Sequence, residues 1–154
     1  MANATANRVV EGRFYTGKSN LPLGLTASAH IYRNTLGCLD VSTGLACAWP
    51  TSNSFTISSY RFTGINLREV HNLATAQAHI KGDQVALATE GTLVMACTSA
   101  DITWQGKAVY AFDDSTVRLS TGSNELYVGR CIRFVSSTSV EVEIDVDQSA
   151  YYIG

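Results

Sequence analysis

The order of apolar and polar residues along the chain is that of short β-strands. Val140-Glu141-Val142-Glu143-Ile144-Asp145-Val146-Asp147 alternates strictly. Such alternation sets four aliphatic side chains on one face and four carboxylates on the other, as in a half-buried antiparallel strand. Tyr127 to Val135 is a second β-rich run, with Gly129 placed for a bulge. Ser136-Ser137-Thr138-Ser139 joins the two runs, which predicts a hairpin with a four-residue turn. Arg130 and Arg133 then lie opposite the acidic face, each cross-strand pairing contributing a few tenths of a kcal/mol.

The same pattern predicts further strands. Asp83 to Thr89 and Thr92 to Thr98 flank Glu90-Gly91, a hairpin signal. Ala108 to Phe112 and Thr116 to Ser120 flank Asp113-Asp114-Ser115. Ile31 to Val41 and Leu45 to Trp49 flank Ser42-Thr43-Gly44, and Ser54 to Ile65 is a longer β-rich run. With only Pro22 and Pro50 as interruptions, the chain reads as an all-β protein. About eight to ten strands would form one compact antiparallel barrel or sandwich over residues 21–154.

Two segments depart from the pattern. Asn66-Leu67-Arg68-Glu69 resembles a capping box, and Leu67, Val70, Ala74 and Ala78 keep rough helical spacing. Residues 66–78 therefore read equally as one short helix or a long loop. Residues 1–20 read as an N-terminal arm, polar over Met1 to Asn7 and more apolar over Arg8 to Tyr15. Arg8, Val9, Val10, Phe14 and Tyr15 are the candidate contact residues, because an exposed apolar arm needs a partner to cover it.

Composition narrows the classes. The chain has 154 residues, net charge −2 and only 16% charged residues, against an average of about 25%. Serine and threonine number 15 and 16, while lysine occurs only at positions 18, 81 and 107, so the surface relies on hydroxyls. Ordinary hydrophobicity at low net charge argues against bulk disorder. The absence of a basic run argues against a nucleic-acid groove. No apolar run approaches the roughly 20 residues that span a bilayer, and no secretory signal is expected from Met1 to Asn7.

The search for chemistry yields little. Cys38, Cys47, Cys97 and Cys131 lie among apolar neighbours without metal-ligand spacing, and read as buried free thiols in a reducing compartment. His30, His71 and His79 read as surface or loop residues. Asp113-Asp114 reads as a turn, Glu141 and Glu143 as a solvated face, and Trp49 and Trp104 as core or rim. No catalytic constellation or nucleotide loop is present, and neither a metal nor another cofactor is expected. Asn3-Ala4-Thr5 matches a glycosylation acceptor by chance.

Several stretches, in order, carry a resemblance. Leu21-Pro22-Leu23 is followed by Ile31-Tyr32-Arg33-Asn34-Thr35-Leu36-Gly37-Cys38-Leu39-Asp40 and Gly44. Phe62-Thr63-Gly64-Ile65 comes next, then the run from Asp101-Ile102-Thr103-Trp104-Gln105-Gly106-Lys107 through Val109-Tyr110 and Asp113-Asp114 to Thr116-Val117. Tyr127-Val128-Gly129-Arg130 and Val140-Glu141-Val142 close the series. Together they resemble the capsid decoration, or head cement, proteins of tailed bacteriophages. The resemblance implies a β-tulip-like domain with an N-terminal arm. It implies a homotrimer on the outer surface of the virion, made in the host bacterial cytoplasm, that clamps neighbouring major capsid protein subunits after the shell expands. In place of the family's Gly-rich loop this chain has the Ala-rich stretch Asn66 to His79.

Two alternatives stay open: a head-fibre or host/carbohydrate-binding virion module, which the hydroxyl-rich surface allows, and a small hydrolase needing a His or Cys in a polar cleft.

Overall fold

A computed structural model describes residue 5, residues 12–14, 29–49, 58–72, 87–122 and 125–146. The chain is nearly all β, built from a closed five-stranded barrel and a curled half-barrel sheet. In the barrel β8 (Glu90–Cys97), β10 (Thr116–Arg118), β9 (Ala108–Ala111), β11 (Tyr127–Ser136) and β12 (Ser139–Asp145) follow one another. The β12–β8 pairing closes the ring. The second sheet runs β4 (Leu45–Cys47), β3 (Leu36–Asp40), β5 (Tyr60–Asn66) and β7 (Leu87–Ala88). β2 (His30–Ile31) and β6 (Val70–His71) form a separate two-stranded ribbon.

The alternation read in the last strand is the barrel wall. Val140, Val142 and Ile144 are buried, whereas Glu143 is exposed. On β8, Leu93, Met95 and Cys97 point inward from every second position. With Val109, Val117, Val128 and Cys131 they fill the barrel, and Leu36, Cys38, Phe62 and Ile65 of the second sheet join the same core. Trp49 and Trp104 both belong to it. A smaller cluster of Ala29, Ile31, Ala46, Val70 and Leu87 lies under the β2–β6 ribbon.

Local turn chemistry accounts for two predicted hairpins. In β3–β4 the Asp40 carboxylate accepts hydrogen bonds from the Ser42 amide and hydroxyl at 2.8 and 2.6 Å. Gly44 supplies the φ of 68° that completes the turn. In β9–β10 Asp113 accepts from the Ser115 amide at 2.9 Å, so Asp113-Asp114 is a turn. The β11–β12 hairpin also forms, but its turn is shorter than expected. Ser136 pairs with Ser139, leaving Ser137-Thr138 as the connection.

Three features are set by non-local contacts. Glu90-Gly91 is no hairpin turn: β7 pairs with β5, while β8 begins at Glu90 and enters the barrel. The chain crosses between sheets there. Asn66 is no helix N-cap either. It ends β5, buried, with its Nδ2 donating to Thr35 Oγ1 at 3.0 Å and its backbone amide to the Thr35 carbonyl at 2.9 Å. Residues 66–72 hold a strand end and β6 instead of a helix, and residues 73–78 lie outside the described ones. A 3-10 helix, Ile102–Trp104, is N-capped by Asp101. Finally, residues 12–14 of the arm are paired within the chain. β1 (Gly12–Phe14) adds antiparallel to β8, with Phe14 opposite Gly91. Arg8, Val9, Val10 and Tyr15 lie outside the described residues.

Candidate functional site

The outer face of β11 is the most distinctive surface. Its register against β12 shifts twice, between Cys131 and Arg133 and between Phe134 and Ser136. Each shift leaves one residue of β11 without a partner on β12, and those residues are Ile132 and Val135. Bulges re-aim side chains, and both residues are 40% exposed. The 3-10 helix beside them carries Ile102, at 60% the most exposed large apolar residue among the described ones.

Polar contacts hold this helix against β11. The Asp101 carboxylate caps it, accepting from the Thr103 amide at 2.7 Å and the Thr103 hydroxyl at 2.6 Å. Those bonds to Thr103 keep the Asp101 carboxyl below its usual range. Gly106, at a φ of 81°, donates its amide to the Cys131 carbonyl at 2.7 Å. The Gln105 side chain accepts from the Phe134 amide at 3.1 Å. Ile102, Ile132 and Val135 are thus carried by elements tied to one another.

The frame around them is polar. Arg133 Nε donates to Glu141 Oε2 at 2.6 Å, the cross-strand pairing expected from sequence. Arg130 stands in register with Glu143, the second expected pair. At the turn, Ser136 Oγ lies 2.7 Å from Ser139 Oγ and 3.3 Å from Thr138 Oγ1. Ile132 and Val135 thus share β11 with one member of an ion pair and with a hydroxyl-rich turn.

A second polar cluster lies on the β2–β6 ribbon, where His30 and His71 are register partners. Their rings stack at 4.2 Å with an 8° tilt, and Tyr32 lies 4.1 Å from His30. His30 Nε2 is 2.7 Å from Glu69 Oε1. Arg68, Glu69, Val70 and His71 line an open cleft of about 180 Å³. No local pattern announces this ribbon, because 41 positions divide His30 from His71. His79 lies outside the described residues. Among the described residues no group of three or more His, Cys, Asp or Glu is placed to hold a metal ion.

All four cysteines are free thiols, and only Cys47 is partly exposed. Cys97 and Cys131 point to backbone carbonyls, of Ser137 at 4.0 Å and Arg133 at 3.8 Å. Burial pushes both thiols up in pKa. Cys47 shares a narrow cleft with His30, but its sulfur is hydrogen-bonded by Cys38. The chain matches no protein-family model and no curated protein.

Proposed function

We propose that this chain is a virion structural protein that binds the outside of a phage head as a trimer and clamps neighbouring major capsid subunits. On this reading it acts by binding, without catalysis or cofactor. The structural observation that supports it is the outer surface of β11. Two bulges and a capped helix set Ile102, Ile132 and Val135 out to solvent within a hydroxyl-rich frame. Isolated surface apolar residues are ordinary, but residues grouped on mutually bonded elements favour a partner.

The energetic logic is additive. A protein that binds only the assembled, expanded shell raises the cost of separating its subunits by its own binding free energy. Three linked copies raise the effective concentration of each contact. The resemblance to head cement proteins, an all-β barrel and a charge-poor surface point the same way. The arm fits this picture if residues N-terminal to β1 extend strand addition onto a neighbour, as Gly12–Phe14 already does on β8.

The test is co-sedimentation with expanded heads of the virus that encodes the chain, stripped of this protein. The wild-type chain should pellet with expanded heads and not with unexpanded shells. Ile132→Asp should abolish pelleting while leaving the melting curve in place. Absence of pelleting by the wild type, or unchanged pelleting by Ile132→Asp, overturns the proposal. Binding to a glycan array instead would favour a host-binding module.

A further inference from the structure

Cys38 and Cys47 are brought together by the β3–β4 hairpin as direct register partners. Residues directly opposite on antiparallel strands share a face, with Cβ atoms about 4.5–5.5 Å apart. Disulfides need Cα atoms within about 4.4–6.8 Å, so a register pair is close to bonding geometry already. The two thiols lie close enough for each to shift the other's ionisation. Their exposure differs. Cys38 is 2% exposed, flanked on its other side by Phe62 of β5. Cys47 sits on β4, the edge strand of the sheet, and is reached through the cleft lined by His30, Tyr32 and Trp49.

We propose that Cys38 and Cys47 form a redox pair that closes to a cross-strand disulfide by exchange with a low-molecular-weight disulfide such as oxidised glutathione. The Cys47 thiolate attacks one sulfur of the small disulfide and expels one small thiolate, leaving a mixed disulfide on Cys47. Cys38 then gives up its proton to solvent, and its sulfur attacks the Cys47 sulfur. The second small thiolate leaves. Two protein S–H groups and one small S–S bond become one protein S–S bond and two small thiols. Two electrons pass to the small disulfide, and the two protons end on its thiols.

The order of attack follows from exposure, since Cys47 is partly open to solvent and Cys38 is buried, and the electrostatics of the pair run the same way. The Cys38 hydrogen bond favours the thiolate on Cys47 and lowers its pKa, against the opposing effects of burial and of the Asp40 charge. Donating that bond, and being buried, holds Cys38 strongly protonated. The exposed member is therefore the nucleophile and the buried one resolves. Cys97 and Cys131 make an internal contrast, since their thiols face backbone carbonyls and each other's strand offers them no register partner. The hairpin alone supplies this chemistry, whatever surface the protein binds.

The full-length chain is equilibrated in buffers of increasing oxidised-to-reduced glutathione ratio, quenched in acid, alkylated in denaturant and mapped by peptide mass spectrometry. Alkylation of Cys38 and Cys47 should be lost together as one linked peptide appears, reversibly with dithiothreitol, while Cys97 and Cys131 stay fully alkylated. Cys47→Ser, which alters a partly exposed position, should abolish oxidation of Cys38; Cys97→Ser should leave the linked peptide intact. A persistent glutathione adduct on Cys47, a Cys97–Cys131 link, or full alkylation of all four residues at every ratio overturns the proposal.

Discussion

Gly129→Ala tests most directly whether the barrel closes as described. Gly129 stands opposite Ile144 of β12 and Val109 of β9, so β11 is held on both edges at that point. A β-carbon added there would lie 2.1 Å from the Glu143 carbonyl oxygen and 3.0 Å from its carbon. Real β-carbons stay beyond 3.0 Å, so the two strands must part by at least about 0.9 Å. The obstacle is backbone, which has no rotamer to turn away. Moving β11 aside loads β9, and moving β12 loads β8, because the sheet is closed. Overpacking of this kind costs about 1–3 kcal/mol, and one or two weakened ladder hydrogen bonds add about 1 kcal/mol each. The expected loss is therefore roughly 2–5 kcal/mol. Urea unfolding followed by circular dichroism gives the number, read from the midpoint at unchanged slope. Gly122→Ala is the control, since nothing lies within 4 Å of the added carbon. It should stay within about 0.5 kcal/mol of the parent. A Gly129→Ala protein as stable as Gly122→Ala would refute the closed register of β11 and β12.

Other substitutions probe separate contacts. Ile144→Ala removes a side chain 1% exposed at the barrel centre and should cost about 2–5 kcal/mol in the same urea assay. Glu125 accepts from the Thr121 amide at 3.1 Å and sits 3.0 Å from Arg118. Burial raises its pKa, but bonds from Ser120 and Thr121 and the Arg118 charge outweigh this, so its carboxyl is held below the usual range. Its stabilisation is present above the ordinary carboxylate pKa and lost as pH falls through the folded value; unfolding curves of Glu125→Gln should lack that acid-side decline. For Arg133 and Glu141, a double-mutant cycle should give about 0.2–1 kcal/mol, shrinking with added salt, because the Arg133 side chain is 57% exposed.

How much was legible in the sequence divides along one line. The alternation of residues 140–146 sorted core from solvent, because each side chain's face follows from its own position. The β3–β4 and β9–β10 turns were legible too, since Asp40, Gly44 and Asp113 act on backbone a few residues away. The Cys38–Cys47 register was not legible: a turn of Ser42-Thr43-Gly44 would set Cys38 opposite Ala48, whereas the strands pair Asp40 with Leu45 and so bring Cys38 opposite Cys47.

What the sequence by itself determined is an all-β chain with its inward faces, its tight turns and its hydroxyl-rich, charge-poor surface. Only the tertiary structure decided the partners of β7 and β8, which part at Glu90-Gly91 although that dipeptide has the chemistry of a turn. It also turned Asn66 from an apparent helix cap into a buried link to Thr35, and stacked His30 on His71 across 41 positions. The exposure of Ile132 and Val135 comes from register slips between two strands, which neither strand encodes alone. Turns and side-chain alternation are settled within a few residues. Strand partners are settled by backbone hydrogen bonds and packing from distant residues, and these exist only once the barrel has closed.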